Sequence, residues 1–307
     1  MPQSVWVSGE ALIDLLPGQS VNSLRAIVGG GPANTAIALA KLGVPVKFVS
    51  GLSKDRFGKQ IATEFNNYGV ELDLAVWSDL PTCLAVVSLD DQGRADYHFH
   101  IKDTATFDFD QTLLPESSPG APNILYVGTL ATLIEPGATK LMDWARRVSE
   151  HALVVFDPNI RVSVLSDRKA YLASVERWIE IANVVKVSDD DLKFLFPAED
   201  PITVAKAWIS TSCPLVVVTR GENGLVAVTA NEVIEVPASK TIIVDSVGAG
   251  DTVGAIIVEA LTRNSLKDLH GQTLRTVMQR AAKAAAITCS RAGSQPPTAA
   301  ELDKETI

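Results

Sequence analysis

The stretch Asp245-Ser246-Val247-Gly248-Ala249-Gly250-Asp251-Thr252-Val253-Gly254 decides how the rest of the chain is interpreted. An apolar, β-branched run at residues 242–244 precedes it and predicts the end of a buried strand, while apolar residues at helical spacing follow it. The small residues 248–250 are therefore expected at a strand-to-helix turn, where backbone N–H groups can approach a ligand closely. Because a helix N-terminus offers unpaired N–H donors and a partial positive charge, this turn is typical of an anion site, most often for phosphate.

Asp251 is expected in the first turn of that helix, beside the predicted anion site. A carboxylate there suits a general base that takes a proton from a hydroxyl group attacking a phosphoryl group. The alternative is that Asp251 only caps the helix, since Asp is a favoured N-cap residue. No Lys follows the glycines, so the stretch is not a Walker-type phosphate loop.

A second glycine-rich stretch, Gly29-Gly30-Gly31-Pro32-Ala33-Asn34, precedes another helical pattern. Pro32 fits the first position of that helix, and Gly43 fits its end. Asn34 offers both a donor and an acceptor, which is useful for binding a polyol. A dinucleotide-binding turn is the competing interpretation, but the spacing is not G-x-G-x-x-G.

Composition narrows the classes of protein. The chain has 307 residues, of which 47% are hydrophobic, and a net charge of −9, so it can bury a sizeable α/β core. The acidic balance argues against nucleic-acid and anionic-membrane partners, which require a basic face. Three widely spaced cysteines form no disulfide or metal pattern. With no signal peptide and no apolar run of membrane-spanning length, the sequence predicts a soluble, cytoplasmic protein.

Strands alternate with helices along most of the chain, which predicts a mainly parallel sheet covered on both faces. The predicted elements are strands at 5–8, 46–51, 124–127, 153–156, 184–187 and 215–219, and helices at 55–68, 138–150, 168–182, 202–211 and 273–290. Ligands bind such sheets beyond the carboxyl ends of the strands. Three polar clusters follow strands there: 157–161, 188–191 and 219–224. The cluster 188–191 could equally be a helix N-terminus with acidic residues, and the cluster 219–224 could equally be a plain hairpin connection.

Two extended runs, 84–89 and 95–101, flank the turn signal Asp90-Asp91-Gln92-Gly93 and stand outside the α/β alternation. We interpret them as strands of a small lid, with help from 21–28, that excludes water from a cleft. The alternative is a β-extension used for dimerisation, and both can hold together. His98 and His100 share a strand face, which suggests an ordinary polar face because no third metal ligand is evident. Asp14, after the first strand, could accept hydrogen bonds from sugar hydroxyls or simply form a turn.

Two glycine-rich signatures, at 29–34 and 245–254, occur in order with the hairpin segment between the first and the central α/β region. On these residues the chain resembles the ribokinase-like (pfkB-type) carbohydrate kinases over nearly its whole length. Within that family, Gly9-Glu10, Asp157-Pro158-Asn159-Ile160-Arg161 and Lys186-Val187-Ser188-Asp189 are similar to the bacterial fructokinase branch. The resemblance implies a single kinase domain over 1–307, an α/β three-layer sandwich with a mainly parallel central sheet, and a small β lid from segments near 10–28 and 82–103.

The resemblance also implies the roles of individual residues in ATP-dependent phosphorylation of a sugar hydroxyl. Asp251 would be the general base, and Gly248, Ala249 and Gly250 would form the anion hole. The sugar would be held by Asp14, Gly30, Gly31, Asn34 and Arg161. The nucleotide would be bound by Lys186, Thr219, Gly221 and Gly224, together with Gly248 and Gly250.

Metal ions follow from the resemblance as well. Asp191 would contact Mg²⁺ through water, and the region of Asp245 and Val247 would bind a monovalent cation such as K⁺. Many relatives carry Asn and Glu where this chain has Ser188 and Asp191, so the shorter acid is a departure from the family pattern.

The branch resemblance makes D-fructose, converted to fructose 6-phosphate, the first substrate to expect. 2-Keto-3-deoxygluconate is the nearest rival, because an acid sugar could pair with Arg161, and a nucleoside acceptor is a further one. A non-catalytic sugar sensor on the kinase fold is the alternative from a different class. A homodimer formed through the lid is also expected, since an open lid exposes a strand edge.

Overall fold

The computed structural model describes residues 4–18, 20, 23–89, 95–108, 114–115 and 121–304. The strands within these ranges are Val5–Ser8 (β1), Leu12–Pro17 (β2), Leu24–Gly29 (β3), Val46–Phe48 (β4), Gly51–Ser53 (β5), Val76–Ser78 (β6), Leu84–Leu89 (β7), Ala95–His100 (β8), Ile124–Gly128 (β9), Leu153–Asp157 (β10), Val184–Ser188 (β11), Leu215–Thr219 (β12), Leu225–Val228 (β13) and Val233–Val236 (β14). The α-helices are Gly31–Lys41 (α1), Arg56–Tyr68 (α2), Gly137–Val148 (α3), Arg168–Ile179 (α4), Asp189–Leu195 (α5), Pro201–Trp208 (α6), Ala249–Arg263 (α7), Gly271–Cys289 (α8) and Ala299–Asp303 (α9).

Eight strands form the central sheet, in the order β14-β13-β12-β11-β10-β9-β1-β4. Within this order, β12, β11, β10, β9, β1 and β4 are parallel to one another. β13 pairs antiparallel with β12 and with β14. The parallel strands are buried along nearly their whole length, as expected when helices cover both faces. This arrangement confirms the predicted α/β class with a mainly parallel sheet.

Helices pack on both faces of this sheet and give three layers. One apolar cluster joins the sheet to α1, α7 and α8 through residues such as Ile37, Ile256 and Met278. The other joins the opposite face to α3, α4 and α6 through residues such as Leu141, Trp178 and Val204. Strand β1 lies between β4 and β9, so later strands of the chain are added to the sheet on both sides of it. Ligands bind beyond the carboxyl ends of the strands at such a point.

A second sheet of four strands, in the order β3-β2-β7-β8, is built from the two segments in which the lid is predicted. β2 pairs antiparallel with β3 and parallel with β7, and β7 pairs antiparallel with β8, as the hairpin signal predicts. The turn at residues 90–93 lies outside the described residues. The function of this sheet as a lid stays a prediction.

The run at 242–244, predicted as the end of a buried strand, is not one. Among the described residues, the central sheet ends at its edge strand β14, and this run does not join it. Instead the backbone N–H groups of Val244 and Asp245 donate to the carbonyl of Cys289 at the end of α8. Ile242 and Ile243 are 85% and 68% exposed. The turn into α7 therefore follows an irregular segment.

A second correction concerns residues 46–51, which do not form one strand. β4 ends at Phe48, and after it Val49 N–H donates to the carbonyl of Val7. The chain then leaves the central sheet, and β5 pairs with β6 in a separate two-stranded sheet. Within the described ranges, none of the helices combines the length and apolar character needed to cross a bilayer.

Candidate active site

A cavity of about 410 Å³ lies beyond the carboxyl ends of β9 and β10 and is bordered by the second sheet. The predicted site residues that line it are Asp14, Gly30, Gly31, Asn34, Arg161, Val247, Gly248, Gly250 and Asp251. The structure thus brings together both glycine-rich stretches and the predicted sugar-binding residues, which are up to 237 positions apart in the chain. Their roles remain predictions, and the geometry shows what each can do.

Helix α7 begins at the cavity with a backbone conformation that only glycine adopts readily. Gly248 is its N-cap, has a left-handed backbone with φ of 78°, and provides no side-chain cap. The first N–H groups of a helix have no partner within the helix. The N–H of Ala249 donates to the carbonyl of Ser246 at 3.3 Å, and Gly248 lines the cavity. Gly250 also lines the cavity, and Ala249 is the first residue of the helix. This helix N-terminus therefore suits an anionic group such as a phosphoryl group.

Asp251 is the third residue of α7, and two amide groups from other elements hold its carboxylate. Asn34 of α1 donates to Oδ2 at 2.8 Å, and Asn159, after β10, lies with its amide nitrogen 3.5 Å from Oδ1. Thr35 donates to the backbone carbonyl of the same residue at 3.3 Å. Because Gly248 is the N-cap, Asp251 does not cap the helix. Its carboxylate is instead oriented within the cavity, as a base must be.

Burial raises the pKa of Asp251 to about 6. The positive charge of Lys186 opposes this rise, the negative charge of Asp157 adds to it, and the hydrogen bond from Asn34 lowers the pKa again. Asp251 is 6% exposed. With a pKa of about 6 its carboxyl group is ionised at neutral pH and is a stronger base than an ordinary Asp.

The raised pKa of Asp251 predicts an acid limb in the pH dependence of kcat/KM, which reports the ionisable groups of the ligand-free protein. The base must be ionised to accept a proton, and the ionised fraction is lost as the pH falls through about 6. We expect kcat/KM for the sugar to fall by at least about tenfold per pH unit below that value. Steady-state kinetics between pH 5 and 8 measure it, and a kcat/KM that is constant down to pH 5 would refute the assignment of the base.

Asp14 and Arg161 line the cavity on the side of the second sheet and the loop after β10. Burial raises the pKa of Asp14 to about 6, and the positive charge of Arg161 opposes the rise. Arg161 is fixed by its backbone, since its N–H donates to the hydroxyl of Tyr171 at 3.1 Å. A carboxylate and a guanidinium facing one cavity can accept from and donate to the hydroxyl groups of a polyol.

The glycines of the first signature make room for these carboxylates. A Cβ on Gly29 would lie 2.2 Å from Oδ2 of Asp14, and a Cβ on Gly31 would lie 3.2 Å from Oδ1 of Asp251. Gly30 has φ of 104°, and a Cβ there would lie 2.5 Å from the carbonyl oxygen of Glu10. The triple glycine therefore allows the backbone to approach both acids.

Gly29→Ala is expected to weaken sugar binding without a comparable loss of turnover. The added methyl group would displace the carboxylate of Asp14, and losing a hydrogen bond to a charged group raises KM for the sugar by about 10- to 100-fold. Asp14→Asn should give a similar rise, and the double variant should add little to it, because both changes remove one interaction. Additive effects of the two substitutions on KM would contradict this explanation.

Of the residues predicted to bind the nucleotide, Gly248 and Gly250 line this cavity, whereas Lys186, Thr219, Gly221 and Gly224 lie outside it. Lys186 is buried behind it, and a Cβ on Gly250 would lie 3.1 Å from its Nζ. Thr219 ends β12, and Gly221 and Gly224 form the connection to the antiparallel strand β13, so the hairpin alternative describes this segment. A Cβ on Gly224 would lie 2.1 Å from the carbonyl oxygen of Val236, which explains that glycine by packing.

The predicted metal-binding residues are occupied by protein contacts. Oδ1 of Asp191 accepts from the N–H of Ile160 at 3.0 Å. Oδ2 accepts from the N–H of Ser188 at 3.1 Å, and this bond is part of the capping box of α5. The carboxylate of Asp245 accepts from the N–H groups of Val247 and Gly293. Among the described residues, no group of three or more His, Cys, Asp and Glu side chains is arranged to hold a metal ion.

Several residues of the cavity were not predicted from the sequence: Glu10, Leu12, Phe99, Leu130, Asn159, Ser163 and Ser246. Asn159 belongs to the polar cluster 157–161, and its left-handed backbone, with φ of 38°, is a signal of functional strain that only the structure provides. Burial raises the pKa of Glu10 to about 7. Leu12, Phe99 and Leu130 are apolar residues that no sequence pattern distinguishes from the core.

Together, a parallel sheet, a helix N-terminus suited to an anion and a buried, oriented carboxylate define an enzyme that transfers a phosphoryl group to a hydroxyl group. Residues 3–301 match the pfkB family carbohydrate kinase description, and the chain belongs to this family. It is 31% identical to a fructokinase of Salmonella typhimurium over 269 residues, which are 87% of each chain.

Solved structures agree with this assignment. The fructokinase of Xylella fastidiosa with bound ATP superposes with a TM-score of 0.91 at 26% identity, covering 98% of this chain and 97% of that one. The fructokinase of Vibrio cholerae O395 with fructose, ADP and calcium gives 0.86 at 26% identity, covering 98% of each chain. A double mutant of that enzyme with fructose, ADP and potassium gives 0.86 at 25% identity, covering 98% and 97%. These comparisons confirm the resemblance and the three-layer kinase fold.

Proposed function

We propose that this protein is an ATP-dependent fructokinase that converts D-fructose to fructose 6-phosphate. The observation that carries the proposal is the carboxylate of Asp251, which lies at the N-terminus of α7 in a cavity whose other side holds Asp14 and Arg161. The similarity to fructokinases supports fructose as the acceptor and ATP as the donor.

The reaction follows from this geometry. Fructose binds with its terminal hydroxyl at Asp251 and its other hydroxyls at Asp14 and Arg161. As the hydroxyl oxygen attacks the γ-phosphorus of ATP, the new O–P bond forms, the bond to the β,γ-bridging oxygen breaks, and ADP leaves. The hydroxyl proton passes to Asp251. The backbone N–H groups at Gly248, Ala249 and Gly250 stabilise the charge on the transferred group, and positioning accounts for most of the rate.

The finer assignments extend this proposal. Lys186, Thr219, Gly221 and Gly224 contribute to the nucleotide site, next to the loop of Gly248. Mg²⁺ bound with ATP would neutralise charge on the phosphate oxygens. Asp191 is the candidate carboxylate for contact with it through water, and the Asp245–Val247 segment is the candidate site for a monovalent cation.

The charges of the cavity favour a neutral sugar over 2-keto-3-deoxygluconate. The ionisable side chains among its described lining residues are Glu10, Asp14, Asp251 and Arg161, three acids and one base. An acid sugar would meet a net negative surface, whereas the hydroxyls of fructose can donate to the carboxylates. A sugar sensor is also disfavoured, because binding alone does not require an oriented base such as Asp251.

The proposed dimer through the second sheet rests on its exposed apolar side chains. Leu24 and Ile27 of β3 are 59% and 39% exposed. Pairing of two such sheets would cover them. Light scattering of the purified protein measures this directly, and a monomer at micromolar concentration would contradict it.

The proposed function is tested by measuring ADP release from MgATP with a panel of acceptors, with and without K⁺. The panel contains fructose, ribose, tagatose, glucose, 2-keto-3-deoxygluconate and adenosine. We expect kcat/KM for fructose to exceed that of each other acceptor by at least about tenfold. Activity with only the keto acid would retain the mechanism and reject fructose, whereas silence with every acceptor would reject the proposal.

A further inference from the structure

A buried ion pair lies directly beneath the N-terminal half of α7. Nζ of Lys186 is 2.7 Å from Oδ2 of Asp157, and the two side chains are 4% and 0% exposed. The hydroxyl of Tyr126 donates to the same oxygen at 2.8 Å. Oδ1 of Asp157 is buried and has no hydrogen-bond partner among the described residues. Burying two charges is costly, and a sheet of this kind can be filled by apolar residues, so the pair calls for an explanation.

The three residues come from adjacent parallel strands and face the same helix. Tyr126 belongs to β9, Asp157 ends β10, and Lys186 lies in β11. Two glycines of α7, four positions apart and thus on one helix face, rest on them. A Cβ on Gly250 would lie 3.1 Å from Nζ of Lys186, and a Cβ on Gly254 would lie 3.0 Å from the ring of Tyr126. The helix that carries Asp251 therefore sits directly on this group.

We propose that Asp157, Lys186 and Tyr126 form a positioning unit that supports α7 and supplies a fixed positive charge beside Asp251. The role assigned to it rests on the proposed function, because it acts on the base of the phosphoryl transfer. Asp157 holds the Lys186 ammonium in place, and Tyr126 holds Asp157. None of the three is required to touch the sugar.

Charges facing Asp251 from the surrounding elements are few and have opposite effects. The strongest are Lys186 of β11, Asp157 of β10 and Arg161 of the following loop. The acids Glu10 and Asp14 line the same cavity, Tyr126 of β9 is neutral, and Asp191 of α5 acts on Lys186. Lys186 lowers the pKa of Asp251, and Asp157 raises it. Burial lowers the pKa of Lys186, but the charges of Asp157 and Asp251 and the hydrogen bond to Asp157 together outweigh this effect and raise it. The ammonium is therefore charged at neutral pH.

The test is a carbon-13 NMR titration of the aspartate carboxyl groups in the full-length protein, with the Asp251 resonance assigned through Asp251→Asn. In Lys186→Met we expect the Asp251 midpoint to rise by about one pH unit, and in Asp157→Asn we expect it to fall by about one unit. The double variant should lie between the two. Lys186→Arg keeps the charge and should stay near wild type.

A matched control breaks another ion pair on the same helix. Arg280 of α8 binds Glu259 of α7, a residue 2% exposed and eight positions after Asp251, at 3.0 Å. Arg280→Met should leave the Asp251 midpoint unchanged, because this pair does not face the cavity. Thermal melts establish which variants fold. If Lys186→Met does not fold, Asp157→Asn and the double variant, which removes both charges, still measure the sign of the shift in the Asp251 midpoint.

Equal or same-sign shifts in Lys186→Met and Asp157→Asn, or no shift in either, would overturn the proposal and leave the pair a packing element. The titration requires no turnover, so it stands apart from the assay with fructose. A protein that shows the opposite shifts but phosphorylates no sugar would retain the unit and reject the proposed function.

Discussion

Asp251→Asn is expected to lower kcat with fructose and MgATP by at least about 10³-fold. The amide has the shape of the carboxylate but cannot accept the proton of the attacking hydroxyl. Asn34, whose amide donates to Oδ2 at 2.8 Å, can face the carbonyl oxygen of the new side chain. KM for fructose should change little, because Asp14 and Arg161 remain in place.

The melting temperature of Asp251→Asn should stay close to that of the wild type. The substitution removes a carboxylate whose burial raises its pKa to about 6, so it does not remove a group that stabilises the fold by its charge. Asp200→Asn is a suitable control: Asp200 caps α6 far from the cavity, and Asn is an equally good N-cap. A kcat within tenfold of wild type in Asp251→Asn would contradict the assignment of the base.

Gly248→Ala is expected to lower kcat by about 100-fold, comparable to the loss of one oxyanion donor. The backbone of Gly248 has φ of 78°, and a Cβ would lie 2.1 Å from Oγ of Ser294. The methyl group would therefore force the start of α7 or the 293–295 loop to move, and the N–H groups at Ala249 and Gly250 would leave their positions. Strain and overpacking should also cost about 1–3 kcal/mol of stability.

Gly271→Ala separates the two causes. Gly271 has φ of 53° at the start of α8, yet nothing lies within 4 Å of where its Cβ would be. This variant should lose about 1–2 kcal/mol from the left-handed backbone and keep its activity. If Gly248→Ala loses stability to the same extent and turnover is unaffected, then the N-terminus of α7 does not serve as the anion hole.

The sequence predicts much of this fold because its strongest patterns are local. The alternation of strands and helices, the helix after Gly31 and the hairpin 84–100 all follow from periodicity and turn residues. The two glycine-rich stretches predict the centre of the site because few other residues tolerate the backbone of Gly30 or Gly248.

The remaining features depend on tertiary context. Residues 242–244 have the β-branched composition of a strand, but the backbone N–H of Val244 is bonded to the end of α8 and the run joins no sheet, so propensity fails there. Asp157 and Lys186 look like members of polar clusters, and only the register of β10 and β11 shows that they meet beneath α7. Phe99 reaches the cavity from β8 because of how the second sheet is placed, which no local pattern reveals.

The central claim is tested most directly by incubating the wild-type protein with MgATP and D-fructose labelled with carbon-13 at its sixth carbon, and recording the carbon and phosphorus NMR spectra of the product. We predict equal amounts of ADP and fructose 6-phosphate, with the labelled carbon coupled to phosphorus, and at least about 10³-fold less of both with Asp251→Asn over the same time. ATP consumption without phosphorylated fructose, or phosphate on a different carbon, would contradict the account.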